Sequence, residues 1–207
     1  MDSLTDILSL LTEADQKLLL LINSLHTPLL DNLMWIASDK WTWLPLYALL
    51  TALIYQHHSP LRATLIILTI CLTIAATDQT CATIIRPAVQ RLRPSNPDNP
   101  ISPLIHIVND YRGGKYGFPS CHAANTFALA ITISLLYAKA HISIPMITWA
   151  AIISYSRIYL GVHYPGDILG GIIVGTTYAL IFHQIYNLIP LPPQTSILPP
   201  HTGIHYI

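Results

Sequence analysis

The sequence is poor in charged residues of either sign. Only 10% of its 207 residues are Asp, Glu, Lys or Arg, against about a quarter in ordinary soluble domains. Ten basic residues balance ten acidic ones, and there is no long run of either sign, so the charge gives no reason to expect a nucleic-acid partner. Because 52% of the residues are hydrophobic, the composition indicates a membrane protein.

Cysteine is also scarce, with Cys71, Cys81 and Cys121 lying in or beside apolar stretches. An odd number in such places argues against a disulfide framework and against a zinc site of the C-x-x-C type. The acidic N-terminus lacks the basic region and the small-residue cleavage site of a signal peptide, so we expect membrane insertion to depend on the spanning segments themselves.

Apolar segments between polar turns predict an all-α fold. The expected architecture is a polytopic helical membrane bundle of five to six transmembrane helices, forming one domain over residues 1–188. Clear spans are predicted at residues 41–56, 62–85, 118–138, 142–162 and 167–188. Small residues on the last helix predict that it approaches a neighbour closely; these are Gly166, Gly170, Gly171 and Gly175.

The two ends of the chain give weaker patterns. Residues 1–13 have apolar side chains at helical spacing and predict an amphipathic helix at the membrane interface. Residues 17–40 are apolar enough to span, but Pro28 and Asp31 interrupt them, which leaves a spanning helix and a re-entrant hairpin both open. The proline-rich residues 189–207 predict a flexible tail.

The first polar cluster opens a loop predicted over residues 86–117 and reads R-P-A-V-Q-R-L-R-P. Arg86 and Arg93 are seven residues apart, about two helical turns, and could project to the same side. A guanidinium group binds phosphate oxygens bidentately and stays charged. Basic residues beside a span are as often explained by snorkelling or by contact with lipid headgroups.

The second cluster, F-P-S-C-H-A-A-N, opens the predicted helix at residues 118–138. Ser120 is a natural N-cap, and the free amides of the first turn, with the helix dipole, favour an anion. His122 lies in that turn and could donate a proton to a leaving oxygen. Taken alone, it could equally be a capping or surface histidine.

The third cluster gathers Arg157, His163 and Asp167 between the last two spans. An aspartate that accepts the ring N–H of a histidine fixes its tautomer and leaves the other nitrogen free to attack or to bind. By itself the stretch permits a metal site, a proton relay or a nucleophile. Tracing the spans places all three clusters on one face of the membrane, where the arginines would repel a cation and favour an oxyanion.

Together the clusters resemble the signature of the type 2 phosphatidic acid phosphatase family, which is K-x6-R-P, P-S-G-H and S-R-x5-H-x3-D. The matching residues are Arg86 and Arg93-Pro94, then Pro119-Ser120-Cys121-His122, then Ser156-Arg157, His163 and Asp167. Order and spacing match throughout, and the similarity covers about residues 40–188. The family is related to the vanadium haloperoxidases, a branch that the predicted spans disfavour.

The resemblance implies a membrane lipid phosphatase that works through a phosphohistidine intermediate, with no metal and no other cofactor. His163 would be the nucleophile, Asp167 would orient it, and His122 would be the general acid and then the base that activates water. The phosphoryl oxygens would be held by Arg86, Arg93, Arg157, Ser120 and the Cys121 turn.

Two positions depart from the family pattern. Arg86 stands where the family usually has lysine, which keeps the charge but changes the geometry of the donors. Cys121 stands where the family usually has glycine, and its thiol at a helix N-terminus raises the question of a cysteine nucleophile. The C-x5-R loop of cysteine phosphatases is absent, which disfavours that role.

The implied substrates are lipid phosphomonoesters or diphosphates, among them undecaprenyl diphosphate, phosphatidylglycerophosphate, phosphatidic acid and lipid A phosphates. The expected partners are this lipid and the bilayer, with no nucleic acid and an open oligomeric state. The alternative is a non-catalytic lipid-phosphate binding or transport protein that keeps the cradle. Six of the ten basic residues lie on the face of the site, which would make that face cytoplasmic, whereas the resemblance implies the extracytoplasmic face of a bacterial inner membrane.

Overall fold

The computed structural model describes residues 2–191 as helices with irregular connections. Residues 2–191 form seven α-helices: α1 (Asp2–Asn23), α2 (Pro28–Ser38), α3 (Leu44–His57), α4 (Pro60–Val89), α5 (Cys121–Tyr137), α6 (Ala140–Tyr159) and α7 (Pro165–Asn187). Within this part of the chain, the one extended pairing is a bridge between Leu92 and Tyr116. The predicted all-α fold is therefore confirmed. The predicted tail lies mostly outside the described residues.

The N-terminal region folds as two helices joined by a sharp turn. The predicted end of the first helix near residue 13 is wrong, because α1 continues to Asn23 through a run of good helix formers. Thr27 caps α2 by accepting a hydrogen bond from Leu30 N at 3.2 Å. With 11 residues, α2 is about 16 Å long, too short for about 30 Å of hydrocarbon. Residues 17–40 therefore form a hairpin rather than one spanning helix.

Helix α4 extends further than the sequence predicted. Its turn Thr80–Ile85 is π-helical, and the helix then continues to Val89 before Gln90 adopts a left-handed φ of 51°. A proline lacks an N–H and crowds the carbonyl four residues earlier, and the wide π turn directly before Pro87 relieves this conflict. Arg86 is consequently helical rather than part of a loop.

The continuation of α4 also corrects the relation between the first two predicted arginines. Arg93 follows the end of the helix, so it does not share a helix face with Arg86. It lies on an extended segment, where its N–H donates to Lys115 O at 3.0 Å. The returning chain is held there by Gly117 N, which donates to Arg91 O at 2.8 Å.

In the described part of the chain, helices α5 and α7 pack against each other more extensively than any other helix pair. A Cβ atom on Gly171 would lie 2.5 Å from Ser120 O, and one on Gly175 would lie 2.2 Å from Ala124 O. Only glycine permits this approach, as the sequence predicted from its small residues. The contact brings the first turn of α7, with Asp167, against the first turn of α5.

The surface of the bundle is apolar, as expected in a membrane. Helices α4 and α7 are long and apolar enough to cross a bilayer, and α5 is apolar but shorter. On α7, Leu169 and Ile173 are 61% and 66% exposed, and such side chains are suited to lipid contact. The count of five to six transmembrane helices stays a prediction, as does the single domain over residues 1–188.

Candidate active site

His163 lies at the centre of the site, in the short connection between α6 and α7. Its Nδ1 is 3.3 Å from Asp167 Oδ2, which also accepts from Tyr164 N at 3.0 Å. Its Nε2 is 2.8 Å from Arg93 Nη1. Because arginine can only donate, Nε2 is the accepting nitrogen and the ring proton is on Nδ1, facing Asp167. The pattern leaves a lone pair on Nε2, directed toward Arg93.

His163 is 1% exposed, and its surroundings determine its protonation. Burial lowers the pKa of His163 well below its ordinary value, and the charges of Arg93, Arg157 and Arg86 lower it further. Burial also lowers the pKa of Arg93, to about 10, with contributions from Arg157 and Arg86. Near neutral pH the ring is therefore neutral beside a charged guanidinium group.

Arg86, Arg93 and Arg157 form a cationic cluster around the Nε2 side of His163. Within residues 5–191, no carboxylate lies within salt-bridge distance of any of the three. The Nε atoms of Arg86 and Arg157 are buried and have no hydrogen-bond partner in the part of the chain that the structure describes. Buried cations and unsatisfied donors are costly unless an anion pairs with them. The cluster is therefore suited to bind an oxyanion such as phosphate.

Two of these arginines are held by polar groups from other elements. Arg157, on α6, donates to Ser38 Oγ at the end of α2 and to Tyr111 OH at 3.2 Å. Arg86 donates through Nη2 to Cys121 Sγ at 2.8 Å and to Pro119 O at 3.1 Å. The contacts of Arg86 direct its guanidinium group toward the start of α5.

The first turn of α5 completes the predicted set. Ser120 is buried and is the N-cap, with Oγ accepting from Ala123 N at 3.4 Å. Ser120 N donates to Asp167 O at 2.9 Å, which ties this turn to α7. Cys121 and His122 follow in the turn and face a cavity of about 530 Å³. The three predicted clusters thus meet at one place.

This cavity runs from the site between α3, α4, α5 and α6. Its walls are mainly apolar, as the lining residues Tyr47, Leu50, Ile70, Leu129, Trp149 and Ile153 illustrate. Its polar end contains Ser38, His122 and the pair of Asp78 and Asn125, in which Asn125 Nδ2 donates to Asp78 Oδ1 at 2.8 Å. A long apolar group attached to a bound phosphate could occupy the cavity.

Sequence reasoning missed three residues that contact the predicted ones and a fourth, Asp15, that contacts them through Arg91. Ser38 and Tyr111 hold Arg157. Arg91 and Asp15 form ion pairs that end on Asp167. Ser38 and Asp15 come from the N-terminal helices, far from every motif, and only the packing of the fold brings them to the site. Arg91 stands inside the first cluster, but nothing in its spacing distinguished it.

Within residues 5–191, no group of three or more His, Cys, Asp or Glu side chains could hold a metal ion. The carboxylate that contacts His163, that of Asp167, also accepts a hydrogen bond from Arg91. The charge and the unpaired donors of the three arginines suit an anion better than a cation.

The sequence model of the PAP2 superfamily matches residues 62–189, and this chain belongs to that superfamily. It is 42% identical over 193 residues to the lipid A 4′-phosphatase of Bacteroides thetaiotaomicron, covering 93% of this chain and 86% of the relative. It is 32% identical over 174 residues to the lipid A 4′-phosphatase of Porphyromonas gingivalis, covering 84% and 73%.

Among solved structures, the fold is similar to that of the transmembrane PAP2-type phosphatidylglycerolphosphate phosphatase from Bacillus subtilis. The TM-score is 0.64 at 22% identity, and the similarity covers 87% of this chain and 88% of the other. The shared fold agrees with the family assignment.

Proposed function

We propose that this PAP2-type phosphatase hydrolyses a phosphomonoester of lipid A, with His163 as the nucleophile. The observation that carries the proposal is the accepting Nε2 of His163, directed at Arg93 within a cationic cluster that has no carboxylate partner among residues 5–191. A neutral imidazole beside fixed guanidinium groups can attack phosphorus while its target is held and neutralised.

In the first step, the hydrogen bond from Arg93 Nη1 to His163 Nε2 breaks. The freed lone pair attacks phosphorus, and the bond from phosphorus to the leaving oxygen breaks. The leaving oxygen takes a proton from His122 and departs as the alcohol of the lipid. This step requires protonated His122, a charge that the bound phosphate dianion favours. The ring of His163 becomes a phosphorylated imidazolium, and Asp167 stabilises its positive charge through the Nδ1–H contact.

In the second step, His122 takes a proton from water and the resulting hydroxide attacks phosphorus. The bond between phosphorus and Nε2 breaks, phosphate leaves, and His163 returns to its neutral form. The cationic cluster holds the three peripheral oxygens in both steps, so that most of the acceleration comes from positioning and charge neutralisation. No metal takes part in this scheme.

The choice of lipid A rests on the two relatives and on the cavity. Both relatives carry the activity in their names, and the larger similarity extends over 93% of this chain. The apolar cavity beside His122 supports an acylated substrate whose phosphate enters the cluster. A panel of lipid A, undecaprenyl diphosphate, phosphatidylglycerophosphate and phosphatidic acid tests this choice, and lipid A should be cleaved fastest.

The catalytic role is tested with His163→Ala in the full chain, purified in detergent. Phosphate release from every lipid in the panel should fall to background, because the attacking nitrogen is gone. His141→Ala, an exposed histidine at the start of α6, should keep parental turnover. Undiminished turnover by His163→Ala would contradict the proposal, and a parent that binds these lipids without cleaving them would support the non-catalytic alternative.

We place the site on the extracytoplasmic face of a bacterial inner membrane. Gly114 offers a clean test, since a side chain added there meets no atom within 4 Å. Gly114→Cys, made after replacing Cys71, Cys81 and Cys121, should react with an impermeant thiol reagent in intact cells. Reaction only after cell lysis would contradict this orientation. Retained phosphatase activity would show that the replacements leave the fold intact.

A further inference from the structure

The two carboxylate oxygens of Asp167 bind different partners. Oδ2 faces His163 Nδ1, whereas Oδ1 accepts from Arg91 Nη1 at 2.9 Å. Arg91 also donates through Nη2 to Asp15 Oδ2 at 2.5 Å. The other oxygen of Asp15 accepts from Gly166 N at 2.7 Å. A continuous line of hydrogen bonds therefore runs from α1 to the ring of His163.

We name Asp15, Arg91 and Asp167 the Arg91 bridge. Their side chains are 12%, 26% and 0% exposed, in that order. One cation between two carboxylates leaves a single negative charge in the bridge, which faces the Nδ1–H of His163. The guanidinium carbon of Arg91 also lies 3.9 Å from the centroid of the Tyr164 ring, so the arginine is fixed from a third direction.

We propose that Arg91 and Asp15 are positioning residues for His163, an inference that rests on the proposed role of His163 as nucleophile. Without Arg91, a fully buried oxygen of Asp167 would lose its partner, which is costly in a protein interior. Asp167 would then turn away from the ring or take up a proton. In either case the Nδ1–H of His163 loses its acceptor.

Asp15 acts one step further from the ring. Its carboxylate balances the positive charge of Arg91. The negative charge of Asp167 is therefore less neutralised by Arg91 and can stabilise the imidazolium that forms during the reaction. The carboxylate of Asp15 is itself held in place, because it accepts a hydrogen bond from Gly166 N at the start of α7. The fixed carboxylate in turn holds the side chain of Arg91. A Cβ atom on Gly166 would lie 2.8 Å from Asp15 Oδ2, so a residue without a side chain is needed for this approach.

The inference gives α1 a part in the chemistry. The family motifs begin at Arg86, yet the line of contacts that orients the nucleophile begins at Asp15. Neither Asp15 nor Arg91 belongs to the cationic cluster that would bind the phosphate. Their loss should therefore slow the chemical step while leaving substrate affinity nearly unchanged.

The test compares the full-length parent with Arg91→Gln, Arg91→Lys and Asp15→Asn, on the panel lipid that the parent cleaves fastest. Glu13→Gln is the matched control for Asp15→Asn, because it removes an exposed ion pair with Lys17 on the same helix. Arg112→Gln is the control for Arg91→Gln, because Arg112 makes two loop contacts outside the site. Steady-state kcat and KM are measured with the rate constant of a single turnover at saturating enzyme, which reports folded sites only.

Arg91→Gln should lower kcat and the single-turnover rate constant by about a hundredfold, since misplacing a reacting group by about 1 Å can cost that much. KM should change by less than about threefold. Asp15→Asn should show a smaller loss in kcat, about tenfold. Arg91→Lys keeps one charge but not both donors, and it should recover part of the rate. Both control variants should match the parent.

The outcomes separate this inference from the proposed function. If His163→Ala is inactive but Arg91→Gln and Asp15→Asn behave like their controls, the positioning role is wrong and the nucleophile stands. A loss of single-turnover amplitude with an unchanged rate constant would also overturn it, since that reports fewer folded molecules. If His163→Ala retains full turnover, or the parent cleaves no lipid, the proposed function fails and the inference fails with it.

Discussion

The two sides of His163 differ in how their charges are balanced. On the Nε2 side, the cationic cluster has buried guanidinium nitrogens without partners and no carboxylate within reach in the described part of the chain. On the Nδ1 side, each charge of the Arg91 bridge is paired, and Asp167 is fully buried. One ring thus separates an unsatisfied cationic region from a satisfied, net anionic one.

The difference shows how a single histidine can receive a phosphoryl group. The cationic side lacks an anion, which the phosphate supplies on binding. On the anionic side, the ion pairs of the Arg91 bridge are formed before the reaction. The remaining negative charge stabilises the imidazolium when it forms. The predictions below alter one side at a time, beginning with the largest expected effect.

Asp167→Asn should break the anionic side most severely. The amide cannot hold the ring in the same tautomer or stabilise its positive charge, so kcat should fall by about 10⁴-fold. Steady-state phosphate release from the preferred panel lipid measures this. The affinity for the lipid, measured by competition with vanadate as a phosphate mimic, should stay within about threefold of the parental value. Parental kcat in this variant would contradict the role of the carboxylate.

Arg157→Lys should weaken the cationic side while keeping its charge. Lysine cannot donate to Ser38 and Tyr111 and still present a planar pair of donors to phosphate. The expected loss is about a hundredfold in kcat/KM. Arg112→Lys, outside the site, is the matched control and should keep the parental value. Equal kcat/KM in the two variants would contradict a role for Arg157 in binding the phosphate.

The pH dependence of stability is the smallest expected effect. Burial lowers the pKa of His163 in the folded protein, whereas in the unfolded chain it titrates near its ordinary value of about 6.5. Above that pH neither state is protonated at His163, and its contribution is flat. As pH falls below about 6.5, only the unfolded state takes up the proton, so the free energy of unfolding decreases, by at most about 1.4 kcal/mol per pH unit.

His163→Gln provides the comparison for this effect, since it removes the titrating ring. Thermal unfolding in detergent between pH 7.5 and about 5 should show a shallower loss of stability for His163→Gln than for the parent. Parallel curves for the two proteins would mean that His163 is not held neutral by its surroundings.

The sequence predicted the parts of the site that short-range spacing determines. Ser120 follows a proline at a helix start, and the N-cap that this pattern predicted is present. His163 and Asp167 flank a proline-glycine turn, which brings them within 3.3 Å. Gly171 and Gly175 predicted a close helix pair, and their missing side chains allow it. In each case a local rule of backbone geometry was sufficient.

The parts that sequence did not predict depend on long-range packing or on conflicting local rules. Asp15 and Ser38 reach the site only because the N-terminal hairpin folds over it, and neither lies in a motif. The sequence predicted a loop from residue 86, but α4 continues to Val89 because the π turn before Pro87 accommodates that proline. Arg86 reaches the start of α5 from the helix itself, by a different path from the one that the seven-residue spacing suggested.

The central claim is that His163 Nε2 receives the phosphoryl group, and trapping the intermediate tests it most directly. The parent is mixed with lipid A carrying a radiolabelled 4′-phosphate, quenched within one turnover under alkaline conditions, and its peptides are mapped by mass spectrometry. We predict an acid-labile phosphate on His163 that is absent in His163→Ala. A label on Cys121, or phosphate release without any label on His163, would contradict the account.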